Sequence, residues 1–292
     1  MTQARKLAML TEKDNTMARP KLFGLHAQPG KWTGRLLALV PFIVVIGCYA
    51  YFSHLRLLDN PNDKLLPSLT SMADTVYRMA FTEDTRTGEY LMVNDTLASV
   101  KRIAAGVGIA TVVALLLGLN MGLYRGMRSL FNPFVNFMSM IPPLSILPIL
   151  LITFGVGELG KIMLIFLGTV LIMTRDVTLY VRNIPIEMII KAQTLGAGPL
   201  AITYRIILPQ VVPRLLDSLR LCLGGAWLFL IAAEAIAASE GLGYRIFLSR
   251  RYMAMDIIIP YVFWITFLGF TFDLLLQTAI KKLYPWYAKN KD

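Results

Sequence analysis

Six stretches of about 20 mostly apolar residues recur along this chain, each long enough to cross the ~30 Å hydrocarbon core of a bilayer. They lie near 36–53 (LLALVPFIVVIGCYAYFS), 103–123 (IAAGVGIATVVALLLGLNMGL), 134–154, 162–180, 218–238 and 259–280. None is strongly amphipathic over its centre, as expected for helices that meet lipid or packed helices on all sides. The hydrophobic fraction is 56% and the charged fraction only 16%, against about 25% charged in a soluble domain. Such a composition excludes a disordered chain, and the two cysteines, Cys48 and Cys222, exclude a small disulfide scaffold. The net charge of +11 admits a nucleic-acid partner on charge alone, but the hydropathy does not. The expected fold class is an all-α integral membrane protein with six transmembrane helices.

Most of the 29 Lys and Arg residues fall before the first span, in alternate loops and after the last span. The positive-inside bias then places both termini in the cytoplasm. The layout is a cytoplasmic tail over 1–35, a transmembrane domain over 36–280 and a second cytoplasmic tail over 281–292. No small-residue cleavage site follows the first span, so it reads as an uncleaved anchor. An acidic outer loop covers 54–102. Within it a surface helix is expected over 68–80 with Ser68 as its cap, followed by an exposed turn at 82–90. Trp32, Trp264, Trp286, Tyr284 and Tyr287 sit near span ends, where interfacial aromatics belong.

Several residues stand out inside the spans. Pro142, Pro143 and Pro148 interrupt the third, and each removes a backbone donor. Broken backbone at membrane depth is tolerated where it faces protein or a water-filled cavity. The third span, with Met140, Pro142, Pro143, Ile146 and Pro148, is therefore the candidate lining of a translocation path, with a packing kink as the alternative. The fourth span loses apolar character at Arg175 and Asp176. Glu234 in the fifth must face the bundle or water; it either lines the path or makes a structural hydrogen bond. Arg220 and Asp273 fall at matching depths and are expected to form a buried ion pair. Gly118, Gly122 and Gly126 permit close helix approach, within the subunit or at a dimer seam.

The string Gly155-x-Gly157-x-x-Gly160 matches a dinucleotide fingerprint in letters but lacks the strand and βαβ context. No phosphate-binding Gly-x4-Gly-Lys-Ser/Thr loop is present, so the chain has no ATP cradle of that kind. His26 and His54 are too far apart to suggest a metal site, and no catalytic constellation is visible.

The loop over 181–217 is too long for a simple connection and has its own pattern. Pro185 and Glu187 suit a helix first turn, the helix runs through Ile186–Leu195, and Gly196-Ala197-Gly198-Pro199 breaks it. A second short helix is expected over 199–207, ending before Pro209 and Pro213. From physics alone this is either a knob that fits a partner's groove or an amphipathic hairpin on the membrane.

Here the residues carry a resemblance. Ala192-Gln193-Thr194-Leu195-Gly196-Ala197, nine residues after the glycine, and then Ile206-Ile207-Leu208-Pro209 resemble the "EAA" loop of ABC-importer permeases. That loop reads Glu-Ala-Ala, three residues, Gly, nine residues, Ile-x-Leu-Pro. Lys64-Leu65-Leu66-Pro67-Ser68, Ile141-Pro142-Pro143, Phe154-Gly155-Val156-Gly157-Glu158 and Glu240-Gly241-Leu242-Gly243-Tyr244 resemble the branch for nitrate, sulfonates, taurine or bicarbonate. The stretch 79–90 also looks like permeases found beside urea-carboxylase genes. The likeness covers about residues 35–287. One departure concerns the motif's glutamate: Ile190 stands in its place and Lys191 in that of the first alanine. A contact through that acid is absent unless Glu187, one turn earlier, supplies it.

The resemblance implies a MetI-like permease subunit, non-catalytic itself, in a bacterial inner membrane. Its partners would be a second permease copy, two ATPase subunits holding ATP and Mg, and a periplasmic or lipid-anchored solute-binding protein. It implies no cofactor on this chain and no nucleic acid. Glu187, Ala192, Gln193, Leu195, Gly196, Ala197, Ile206, Leu208 and Pro209 would carry the ATPase contact. The cargo would be a small polar solute of the nitrate, sulfonate, taurine or bicarbonate type, or a urea- or guanidine-related compound. The competing reading, an ion-coupled secondary transporter, calls for internal repeats and its own coupling site; no convincing repeat is evident.

Overall fold

Bilayer hydrocarbon leaves a chain only helices or closed barrels, and this chain takes the first solution. A computed structural model describes residues 30–60, 63–84 and 88–289, and among these every regular element is helical. The chain divides into two units, one ending at Ser68 and one starting at Leu69.

The first unit is dominated by α1, Lys31–Asp59, which outruns the expected span at both ends. Nearly all its large apolar side chains are exposed, as suits a helix solvated by lipid. Its distal end ties down the chain that follows. The Tyr49 hydroxyl donates to Pro67 O at 2.8 Å, and Ser53 Oγ donates to Leu66 O and Pro67 O at 3.0 and 3.1 Å. Arg56 Nε donates to Asp63. The Leu65 N–H also bonds Asp63 at 3.0 Å and is the main cause holding that carboxyl below its usual range. The Lys64–Pro67 run is thus fastened rather than loose.

The second unit opens with α2, Leu69–Phe81, the surface helix expected directly after Ser68. The turn after it closes through Gly88, at φ +67°, whose N–H bonds Asp84 O at 2.8 Å. The next helix, α3, runs Leu91–Leu123 and starts twelve residues before the expected span. The 54–102 loop is therefore mostly helix, ending α1 and holding α2 and the first turns of α3. Asp95 and Arg102 do not end the helix, because each is paired with a charge on another element.

Helix α4, Arg125–Met138, is followed by a 3₁₀ turn at Pro143–Ile146 and by α5, Leu147–Phe154. The two arms of this third span are bent by 83°. Pro142 and Pro143 stand at the break, as expected. Pro148 does not interrupt anything: it lies in the first turn of α5, where its missing N–H has no intrahelical partner to lose. Among the described residues, five helices are long and apolar enough to cross a membrane, or six if the bent pair counts as one span.

Helix α6 covers Glu158–Arg182, so Arg175 and Asp176 do not shorten it. After α7, Ile186–Thr194, come α8, Pro199–Ile202, a π-helical turn at Thr203–Ile207 and α9, Leu208–Ala237. The expected stop before Pro209 and Pro213 does not occur; residues 199–237 form one spanning run. The wide turn explains this. Leu208 N–H reaches back five residues to Thr203 O, so Pro209 enters where the bonding register has already shifted and its absent donor breaks nothing. Helices α10, Leu242–Arg251, α11, Met255–Leu283, and α12, Pro285–Lys289, complete the unit.

Helix α3 lies along α6, and glycines set their separation. A Cβ on Gly106 or Gly118 would come within 2.8 Å of Ile165 or 2.7 Å of Val177, and one on Gly122 would collide with Val181. Gly126 faces open space. The small-residue spacing thus serves packing inside the subunit, through Gly118 and Gly122 but not Gly126. The expected outcome is that Gly118→Leu lowers the unfolding temperature of the purified protein, on the ~1–3 kcal/mol scale of overpacking, while Gly126→Ala leaves it unchanged. Equal melting of the two variants would contradict the glycine seam.

Candidate functional site

Helix α7 ends in a double hydrogen-bonded cap. Gly196 N–H bonds Gln193 O at 2.9 Å, and Ala197 N–H bonds Ala192 O at 3.0 Å. This is the Schellman pattern, with Gly196 at φ +83°, a conformation that glycine alone adopts without strain. Ala192 is buried and Ala197 packs against the same apolar cluster, supplying the contact that accompanies such caps. The motif's glycine, Gly196, and its remaining alanine, Ala192, are therefore read by backbone geometry.

The cap leaves the 186–207 segment with two faces. Ala192, Ile202 and Ile207 are buried in a cluster with Val177, Val181 and Val211, and Ile189, Ile206 and Leu208 pack against it. That cluster is built from α3, α6 and α9, so the segment is rooted in three spanning helices. The opposite face exposes Ile190, Leu200, Tyr204 and Leu195, the last 88% exposed. Gln193 and Pro209 are exposed too. Glu187 is exposed and makes no side-chain bond among the described residues, so it is free to face a partner.

At the other end of the same helices lies a cluster of charges that come from segments far apart in the chain. Arg102, 2% exposed, uses all five guanidinium N–H groups. Nε and Nη2 donate to the two Glu158 oxygens at 2.6 and 2.9 Å. Nη1 donates to Glu234 Oε1 at 2.7 Å and Glu240 O at 2.9 Å, and Nη2 reaches Glu240 Oε1 at 3.5 Å. Lys161 adds a bond to Glu158 at 2.8 Å. Glu234 also accepts from Ser99 Oγ at 2.8 and 3.0 Å and from Gly243 N–H at 2.8 Å.

The turn between α9 and α10 is held by the same helix. Asp95 accepts from Gly241 N–H at 2.9 Å, from Arg245 Nε at 2.7 Å and from the Tyr261 hydroxyl at 3.1 Å. Ser99 Oγ accepts from Leu242 N–H at 2.9 Å. Gly241 sits at φ +122°, and a Cβ there would lie 2.6 Å from the Glu234 carboxyl. The Glu-Gly-Leu-Gly stretch thus belongs to a brace.

This corrects the assignment of Glu234 to the translocation path. Its exposure is 0% and its oxygens are occupied by Ser99, Arg102 and Gly243, so it is structural. Arg220 and Asp273 do pair, through bidentate bonds at 2.8 and 3.0 Å. The pair is not buried: the Asp273 side chain, on α11, is 41% exposed. Tyr287 is buried rather than interfacial. Its hydroxyl donates to Asp217, and Arg214 lies over the Tyr180 and Tyr287 rings. Of the other path candidates, Met140, Pro142 and Pro148 are exposed, while Pro143 and Ile146 are half-buried. Among the described residues no group of three or more His, Cys, Asp or Glu could hold a metal.

Removing one partner of a buried, hydrogen-bonded pair costs about 3–5 kcal/mol. Arg102→Leu should therefore sharply lower the thermal stability of the purified protein. A variant of unchanged stability but altered solute preference would return Glu234 to the path.

Residues 107–289 match the family described as the binding-protein-dependent transport system inner membrane component. A probable ABC transporter permease protein of Brucella abortus (strain 2308) is 38% identical over 68% of this chain and 79% of its own length. The taurine transport system permease protein TauC of Escherichia coli (strain K12) is 32% identical over 66% of this chain and 70% of its own. In fold the chain resembles a chain of the MetNI methionine ABC transporter, at a TM-score of 0.51 and 18% identity, covering 66% of this chain and 94% of that one. Sequence match, helical membrane architecture and fold agree, and the chain belongs to the binding-protein-dependent transport system inner membrane component family of ABC permeases.

Proposed function

We propose that this chain is the membrane subunit of an ATP-driven importer, working as a pair with a second copy. Two separate ATPase subunits, carrying ATP and Mg, dock on the 186–207 segment. A periplasmic or lipid-anchored solute-binding protein delivers cargo at the opposite end. Both termini lie in the cytoplasm of a bacterium, with the chain in the inner membrane. The solute is small and polar, of the taurine, sulfonate, nitrate or bicarbonate type or a urea- or guanidine-related compound.

The observation that carries this reading is the two-faced 186–207 segment. Its outer face presents uncovered apolar side chains at Ile190, Leu195, Leu200 and Tyr204, as a docking surface requires, and its inner face is packed into the core of α3, α6 and α9. A force on the exposed face is passed to those helices without a flexible joint. Docking here rests on shape and apolar contact through Leu195, Ile190 and Leu200. The alternative of an ion-coupled secondary transporter lacks such a use for this face.

The test is Gly196→Val. A β-branched residue at φ +83° is strained, so the cap should open and the knob lose its shape. Proteoliposomes containing the whole transporter should then hydrolyse ATP with uptake reduced by tenfold or more, while the permease still inserts. Vanadate should stop uptake by the unaltered chain. Uptake that proceeds without any ATPase would overturn the proposal.

A further inference from the structure

Around Arg102, Asp95 and Arg220 the buried charges of the spanning helices are paired. The last third of α6 is different. Arg175 gives one N–H to Ser139 Oγ at 3.0 Å, while Asp176 and Arg182 make no side-chain hydrogen bond or ion pair among the described residues, and all three are exposed. Asp176 lies about 27 Å along α6 from Glu158. A carboxylate on a spanning helix is costly unless it faces water, protein or a cationic ligand.

Two hollows meet at Asp176 and Ile172. The first, of about 490 Å³, runs along α4 and α6 and takes Asn132, Asn136, Arg175 and Arg182 into its wall. The second, of about 300 Å³, opens between α6 and α9 against Thr169, Ser218, Cys222 and Phe229. Its floor has a built shape: a Cβ on Gly168 would collide with the Phe229 ring, so the glycine lets that ring lie against α6. Asp176 is the one charged residue lining this second hollow.

A wall with one carboxylate, a hydroxyl and an aromatic ring suits a small cation and repels a simple anion. We infer that the hollow between α6 and α9 receives a positively charged nitrogen group of the transported solute, an ammonium or guanidinium, with Asp176 as its counter-ion. This rests on the permease reading and narrows its cargo. A plain cation uses the second hollow alone. A zwitterion also places its acid group in the first, against Arg175 and Arg182. Bicarbonate, nitrate and unsubstituted sulfonates carry no positive charge to pair with Asp176.

The test uses the complete transporter in proteoliposomes, with guanidinium, taurine and ethanesulfonate as probes. The expected result is ATP-driven uptake of guanidinium or taurine and none of ethanesulfonate. Asp176→Asn should lower that uptake about tenfold, the scale of one charge-assisted hydrogen bond, through KM. Asp176→Glu should restore most of it. Assembly and yield of the complex should not change. Guanidinium uptake alone identifies a cation, whereas taurine uptake that Arg182→Gln also weakens identifies a zwitterion. The inference is overturned if Asp176→Asn transports normally, if ethanesulfonate is carried as well as taurine, or if the variant loses assembly together with uptake. It is overturned alone if the unaltered complex hydrolyses ATP but carries none of the probes. A chain that recruits no ATPase overturns the permease reading itself.

Discussion

Five hydrogen bonds from one buried guanidinium join α3 to α6, to α9 and to the turn before α10. Arg102 and its partners Glu158, Glu234 and Glu240 come from segments distant in sequence, and no apolar contact could fix their register as sharply. A buried ion network is a poor source of net stability but a strong source of specificity, because any other arrangement strands a charge. Here the alternative is severe, since Arg102 and Glu234 are both buried. Ser99 and Asp95, one and two turns earlier on α3, use the same logic to hold the backbone of Leu242 and Gly241.

From that brace the fold runs as parallel struts. Helix α6 has 25 residues, about 37 Å of rise, and α3 lies against it along a seam of glycines. At the far end the apolar cluster of Val177, Val181, Ile207 and Val211 takes in Ala192 and Ile202. The cap at Gly196 then fixes the angle at which the exposed knob leaves the bundle. Each joint between brace and knob is either interdigitated packing or a saturated hydrogen-bond set. This makes the proposed docking segment and the helices lining the α6–α9 hollow one mechanical body. In that light the exposed face of Leu195 and the unpaired Asp176 are two places where the unit leaves bonding capacity unused.

Apolar run length exposed the spans, because the bilayer sets their minimum. It placed their centres well and their ends poorly: Asp95, Arg102, Arg175 and Asp176 read as boundaries, yet pairing or an open hollow keeps each within a helix. The prolines taught a similar lesson. Pro142 and Pro143 broke the third span as their chemistry requires, but Pro148 and Pro209 fell where a helix start or a π turn had no use for their donor. The 186–207 segment was legible because a local pattern, the glycine and its spacing, encodes a local structure. The brace was not, since Arg102, Glu158 and Glu234 are joined only by tertiary folding. Its one signal was a buried-looking acid, Glu234, in want of a base.

The central claim is that knob and brace move together. Spin labels on Thr194 and on Leu159, both exposed, would report the distance between them by pulsed electron resonance in the full transporter, nucleotide-free and trapped with vanadate. If knob and brace form one rigid body, this distance within one subunit stays constant while the Thr194–Thr194 distance between subunits shortens. A knob that shifts relative to Leu159, with the subunits fixed, would contradict it.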